Sequence, residues 1–396
     1  MQTTINPIKP TLFTPQIRQA VRWLVQSGVQ IAGDNPAHEG GFVCWYEQDT
    51  HTMPFVYSEI TGMLTTMMCS LYQQSHDVQY LNCAIRAGDW LVRTAHSPTG
   101  GFRCLYPLTP SRFDYKASRI YAFDCGMILN GLVELYRATR NPKFLAASLN
   151  VGDWLVREAQ KSNGAFRSVY DIEKNAFIES DQEWSQCSGS YHTKIAGGLA
   201  NLYDVTRREA YLRAAIRSGE YALGFQQPDG RFVSFPSGVG THSHPHAYSA
   251  EGLWVLGRYL KREDFLLASA QAASWLLRWQ APDGVSPRYV YSDVPVYAER
   301  VDVLAQTLRL AAIHLGEKRL PGGLRSKLPG LVAAMTRHQV ESEDPRLNGA
   351  FYFGQSSRGD FLPHANVWVT AFAAQGLRLF EQLSQGAIEL HPFSLA

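Results

Sequence analysis

The stretch GDWLVRTAHSPTGGF at residues 88–102 returns as GDWLVREAQKSNGAF at residues 152–166, 64 residues on, with tryptophan, leucine and the closing glycine and phenylalanine in register. A unit repeated along a chain is one supersecondary element that cannot bury its apolar face alone. The repeat therefore dictates the architecture before any single residue does. Looser copies stand at QAVRWLVQS with EGGF, at AIRSGEYALGFQQPDGRF (215–232), at QAASWLLRWQAPDGV (271–285) and at LVAAMTRHQ with NGAFYF, which makes six.

Between each glycine turn and the next copy lies a second apolar helical pattern: YSEITGMLTTMMCSLY, YAFDCGMILNGLVELY, YHTKIAGGLANLYDV, HAYSAEGLWVLGRYL, YAERVDVLAQTLRLAAIHL and HANVWVTAFAAQGLRLF. These segments are apolar on most faces, the pattern of buried helices. The tryptophan-bearing helices are striped instead. In FLAASLNVGDWLVREAQ, Leu145, Leu149, Trp154 and Leu155 fall near one face, with Asn150, Asp153, Arg157 and Glu158 elsewhere. The expectation is an outer helix and an inner helix, alternating six times.

A length of 396 residues suggests two or three domains, but no Pro/Ser-rich linker or charge block interrupts the repeat, so one domain over 1–396 is expected. A net charge of +2 without a basic helix face speaks against a nucleic-acid partner. The start MQTTINPIKP shows no signal-peptide pattern, and no run of about 18 apolar residues occurs, so a cytoplasmic chain without membrane insertion is expected. Cys44, Cys69, Cys83, Cys104, Cys125 and Cys187 lack CxxC spacing and sit mostly in apolar patterns, which reads as buried reduced thiols.

This strict alternation resembles the all-α (α/α)6 toroid of the six-hairpin glycosidases. YSEITGMLTTMMCSLYQQSHDVQYLNCAIRAGDWLV is also similar in style to the helical domain of uronyl C5-epimerases. The resemblance implies a carbohydrate-processing enzyme: a glycoside hydrolase, a polysaccharide lyase or a sugar epimerase, with an oligosaccharide or polysaccharide as substrate. It implies a fold more than a chemistry.

In a toroid the inner helices start at one mouth of the central cavity, so polar residues at those starts converge. In chain order they are Tyr57 and Glu59; Tyr121 and Asp124; Tyr191, His192 and Lys194; His246, Tyr248 and Glu251; Tyr297, Glu299, Arg300 and Asp302; His364, Asn366 and Trp368. Glu59, Asp124, Glu251 and Asp302 are the candidate catalytic carboxylates, since sugar chemistry uses one carboxyl as acid and another as base or nucleophile. Each also suits plain capping of a helix start, where a negative charge is favoured. Asp302 and Arg300 can alternatively serve in a structural ion pair. Tyrosines and histidines of the ring would bind hydroxyl groups, and tryptophan would stack on a sugar face.

Two loops stand out. THSHPHAYSAEG brings His242, His244 and His246 to one side if extended, yet it lacks a matched carboxylate or cysteine spacing, so no metal and no cofactor are expected. ESDQEWSQCSGSYHTK gathers Asp181, Glu183, Trp184, Tyr191, His192 and Lys194, a mix suited to substrate contact. Arg112, Lys116 and Arg119 in LYPLTPSRFDYKASRIY, with Lys194 and Arg300, would hold a carboxylate if the sugar were a uronic acid. Phosphate-loop, HExxH, GxSxG and GxGxxG patterns are absent.

The leading expectation is a glycoside hydrolase using two of the four carboxylates. A uronate lyase or C5-epimerase with a tyrosine or histidine base is the alternative, and a non-catalytic saccharide- or partner-binding toroid is the third.

Overall fold

The computed structural model describes residues 13–33, 35–180, 183–234, 240–386 and 388–396. Its twelve α-helices follow the repeat. The outer set is α1 (Pro15–Gln26), α3 (Val78–Trp90), α5 (Pro142–Trp154), α7 (Glu209–Leu223), α9 (Glu263–Arg278) and α11 (Leu328–Thr336). The inner set is α2 (Ser58–Ser75), α4 (Ala122–Thr139), α6 (Thr193–Thr206), α8 (Ser243–Leu260), α10 (Val301–Gly316) and α12 (Val367–Ser384). Each inner helix packs on the next, and α12 returns to α2 to close the ring. This is the (α/α)6 toroid.

The duplicated fifteen-mer is an outer helix with its exit. In both copies the helix widens into a π-turn, over Leu91–Ala95 and Leu155–Ala159, before the chain reverses at a glycine of positive φ. At Gly164, with φ +92°, a Cβ would lie 2.2 Å from the Arg217 carbonyl oxygen of the neighbouring outer helix, so the turn demands glycine for both conformation and space. The phenylalanine two residues on, here Phe166, is fully buried, and burying such a ring contributes about 1.5–3 kcal/mol.

A glutamine clamps the same turn. The Gln160 amide donates to Gly164 O at 3.4 Å and to Ala214 O of α7 at 2.9 Å. Gln30, Gln226, Gln280 and Gln339 repeat the pattern, each bridging its own turn glycine to the next outer element or helix. Turn and neighbour are thereby locked in one register.

The stripe of α5 runs one residue away from the expected line. Phe144, Ala147, Val151 and Leu155 are buried at helical spacing, whereas Leu145 and Leu149 are half-buried beside them.

Four inner helices, α2, α4, α6 and α8, turn back to outer ones through two-residue links whose first residue, His76, Arg140, Arg207 or Lys261, is left-handed. Asp77 and Asn141 then cap α3 and α5 by accepting from Gln79 N and Lys143 N. The opposite connections, from outer to inner helix, are long and carry short antiparallel strands such as Phe55–Tyr57 paired with Leu105–Pro107. The strand-bearing connections therefore gather at the inner-helix N-termini, and the site lies there. All six cysteines are buried and none is in a disulfide. No helix among the described residues is long and apolar enough to cross a membrane.

Candidate active site

In four of the six inner helices, α2, α4, α8 and α12, two positions share the same roles. The second residue points inward: Glu59 of α2, Phe123 of α4, His244 of α8 and Trp368 of α12 line one chamber, as does Tyr191 in the single turn before α6. The fourth residue points outward to the turn phenylalanine of its own repeat. Thr61, Cys125, His246 and Thr370 each accept from the backbone N–H of Phe42, Phe102, Phe232 and Phe351.

The chamber encloses about 240 Å³, the space of about eight waters at roughly 30 Å³ each. That is the scale of one sugar ring. Tyr57, Tyr121, Tyr248, Trp184, Lys116 and Arg300 complete its polar and aromatic lining, together with Trp45, Phe55 and Phe113. Trp45 stands T-shaped to Phe55 and Phe113, with centroids 5.5 and 5.9 Å apart, so one wall is aromatic and rigid.

Glu59 and Asp124, on adjacent inner helices, both line the chamber, close enough for each carboxyl to shift the other. Burial raises both above the usual carboxylate range. Asp124 goes well above it, because the charge on Glu59 adds to its burial. Asp124 therefore holds a proton more readily than a carboxyl ordinarily would, and the two titrate as one unit. Tyr57 lies beside Glu59 and Cys104 beside Asp124, and Lys116 supplies a nearby positive charge. The helix-start preference for ionised carboxylates is overridden here by desolvation.

Across the ring stands a second cluster. His244 Nδ1 lies 2.7 Å from Gln306 Oε1 and 3.5 Å from Asp302 Oδ2. Both partners are acceptors, so Nδ1 carries the hydrogen of the neutral ring and Nε2 is left as the acceptor of a side chain that lines the chamber. Burial, opposed by the Asp302 charge, lowers His244 to about 4. Asp302 grips Arg300 through both oxygens, at 3.0 and 2.5 Å, and accepts from Trp368 Nε1 at 3.3 Å. Its burial is outweighed by Arg300 and His244, which hold its carboxyl well below the usual range.

Several expectations need correction. Asp302 does not line the chamber; it positions Arg300, His244 and Trp368 from behind. Glu251 and Lys194 lie beneath the chamber floor, buried in an ion-paired group with Arg309. Burial would raise Glu251, but Arg309 and Lys194 hold it below its ordinary value, so its charge is fully committed. His246 is bound by Phe232 N and Ala272 O and packs on Trp275, on the outer side of α8. His192 packs between Phe166 and Tyr191 and is likewise turned from the chamber. His364 sits at the rim, stacked on Trp45 at 4.5 Å and 3.0 Å from Glu47.

The three histidines of THSHPHAY diverge because His244 and His246 lie in the first turn of α8, while His242 ends a strand and stacks on Tyr289. Pro245 is tolerated there, since first-turn N–H groups have no helical partner. Among the described residues no group of three or more His, Cys, Asp or Glu is placed to hold a metal. Glu299 pairs with Arg337, the Tyr297 hydroxyl donates to Trp279 O, and Asn366 caps α12. Asp181 lies outside the described residues.

Sequence reasoning missed Trp45, Phe55, Phe113 and Phe123. Phe123 was readable as the residue equivalent to Glu59 in the next repeat.

With its ring of twelve helices and chamber at the inner-helix starts, the chain has the (α/α)6 toroid fold. It is similar to cellobiose 2-epimerase from Bacillus thermoamylovorans B4167 (TM-score 0.75, 14% identity, 93% of this chain and 98% of that one). It is also similar to unsaturated glucuronyl hydrolase from Bacillus sp. GL1 (TM-score 0.67, 14% identity, 94% and 97%). In sequence it matches N-acylglucosamine 2-epimerase of Homo sapiens at 24% identity over 234 residues, 57% of this chain and 54% of that protein. That match spans about half the length of the human protein. No family model matches the chain.

Proposed function

We propose that this protein is a carbohydrate-processing enzyme that moves protons on opposite faces of a single sugar residue, an epimerase or isomerase acting at the end of a saccharide. One observation carries the reading. The protonated Glu59–Asp124 pair sits on α2 and α4, and α8 and α10, which bring His244 and Arg300, are their opposites in the ring of six. A sugar between them meets a proton donor on one face and an unprotonated imidazole nitrogen on the other, with Arg300 and Lys116 placed to steady negative charge on oxygen. The similarity to proteins named as sugar 2-epimerases supports the same class.

The tyrosines of the chamber act as donors rather than bases, because burial pushes Tyr57, Tyr121, Tyr191 and Tyr248 upward. This weighs against a tyrosine base, as in the lyase reading. The binding-only reading requires every carboxylate to be tied up. Glu251 and Asp302 are held in salt bridges, but among the described residues Glu59 and Asp124 are in none.

Hydrolysis keeps support from one feature. A protonated Asp124 near Lys116 suits protonation of a saccharide that carries a uronate end, and one similar structure is named an unsaturated glucuronyl hydrolase. The accessible carboxyls are nonetheless close enough to shift each other, whereas the paired-carboxylate mechanism separates them by about 5–9.5 Å.

The test is incubation in D₂O with neutral reducing disaccharides, N-acyl hexosamines and uronate-ended oligosaccharides, followed by NMR. Deuterium at a carbon of an uncleaved sugar supports epimerisation, and new reducing ends would overturn it in favour of hydrolysis. An unchanged panel would refute both.

A further inference from the structure

The end of the toroid opposite the chamber is closed from within by the chain itself. Residues 392–396, PFSLA, run into the axis, where Phe393, Ser394, Leu395 and Ala396 are buried. Four side chains from four inner helices donate to its main-chain oxygens. Asn130 of α4 reaches Phe393 O at 2.8 Å, and Gln375 of α12 reaches Ser394 O at 2.9 Å. Lys194 of α6 and Arg309 of α10 reach Ala396 O at 2.9 and 2.8 Å. Tyr259 of α8 packs on the Phe393 ring at 5.1 Å. This is a built peptide site, recognising backbone by hydrogen bonds and one ring by packing.

The same Lys194 touches the chamber from below. Its Nζ lies 5.0 Å from the ring of Tyr248, a chamber wall, and 2.5 Å from Glu251. We propose that the segment Pro392–Ala396 is a positioning element of the active site: its docking holds Lys194 as a cation beneath the chamber and so sets the charge that the Glu59–Asp124 pair meets from below. The inference rests on the reading of that pair as the proton-handling group.

The electrostatics run in one direction. Burial lowers Lys194 to about 8, so its charge depends on the acceptors it retains, Glu251 and Ala396 O. Arg309 of α10 opposes that charge, while Glu251 of α8 and Glu59 of α2 favour it. The pair itself faces Tyr57, Cys104, Lys116 and Tyr248 besides Lys194. Undocking the segment removes one acceptor and lets Lys194 lose its proton more readily. Glu59 and Asp124 then hold theirs to higher pH.

The experiment reads the pair without turnover. The infrared band of protonated carboxyl, assigned by its loss in Asp124→Asn, is titrated in the full chain, in Lys194→Met and in a chain ending at residue 391. Folding of each is checked by circular dichroism. Both changes are expected to move the midpoint upward, and the double variant to move it no further than the larger single. A folded shortened chain with an unmoved midpoint overturns the proposal, as does an unmoved midpoint in Lys194→Met. Should the shortened chain not fold, Phe393→Asp in the full chain replaces it. Hydrogen exchange at residues 392–396 then reports undocking, and an undocked segment with an unmoved midpoint is equally fatal. A sugar panel left unchanged in D₂O would refute the enzymatic reading alone, because this midpoint is measured with no substrate present.

Discussion

Asp302 reaches two functional side chains at once, gripping the Arg300 guanidinium through both oxygens while its Oδ2 lies 3.5 Å from His244 Nδ1. One fully buried carboxylate thus orients the cation and the imidazole of the chamber. Asp302→Asn is expected to lower turnover by about 10²-fold or more, the usual scale for a disturbed acid–base group. Because its folded carboxyl is held low, Asp302 stabilises the protein fully above its unfolded pKa near 4, and that contribution falls away as pH drops through the folded value. Melting temperatures across pH should show a deficit in the variant at pH 7 that narrows on acidification.

Asp124→Asn should behave in the opposite way. The Asp124 carboxyl is raised, so the folded chain binds that proton more tightly than the unfolded chain does. Stability is lost as pH rises from the unfolded value near 4 toward the folded one. The variant should lose about 10²–10⁴-fold in activity and yet melt higher than the parent at pH 7.5. Below about pH 4 that difference should vanish. Equal melting at both pH values would mean that the carboxyl is not raised.

How far the site was legible can be followed residue by residue. Adjacent copies of the repeat place α2 beside α4, so the meeting of Glu59 with Asp124 follows from ring order once six copies are counted. The repeat also held the role of His246, since the equivalent positions are Thr61, Cys125 and Thr370, small groups that accept from a turn N–H. Glu251 was not legible. Its partner Arg309 sits mid-helix on α10, and the oxygen both cations share belongs to Ala396. The contact between Cys104 and Asp124 was equally hidden, because it depends on how one connection packs over the inner helices.

Glu251→Gln separates structure from chemistry. Removing that charge leaves Lys194 and Arg309 buried with one fewer anion, and breaking a buried pair in this way costs about 3–5 kcal/mol. The variant should unfold at markedly lower denaturant, whereas Glu59→Gln should fold normally and lose activity. If Glu251→Gln kept parental stability and lost only turnover, Glu251 would have to be returned to the catalytic set.

The glutamine clamp makes a prediction about the fold alone. Gln160→Ala deletes donors to Gly164 O and Ala214 O and also strands Arg217 Nη2, which the Gln160 carbonyl accepts. Leaving the Gly164 carbonyl without its partner costs about 1–3 kcal/mol, read as a lower denaturation midpoint without change in slope. Gly164→Ala should be worse, because a left-handed residue is forced on alanine and its Cβ meets the Arg217 carbonyl at 2.2 Å. At Gly28, which shares a positive φ of +90° but has nothing within 4 Å, only the conformational part should remain. The difference between Gly164→Ala and Gly28→Ala therefore measures how tightly one repeat is pressed against the next. Equal losses at the two sites would show that the turn is held by its dihedral alone.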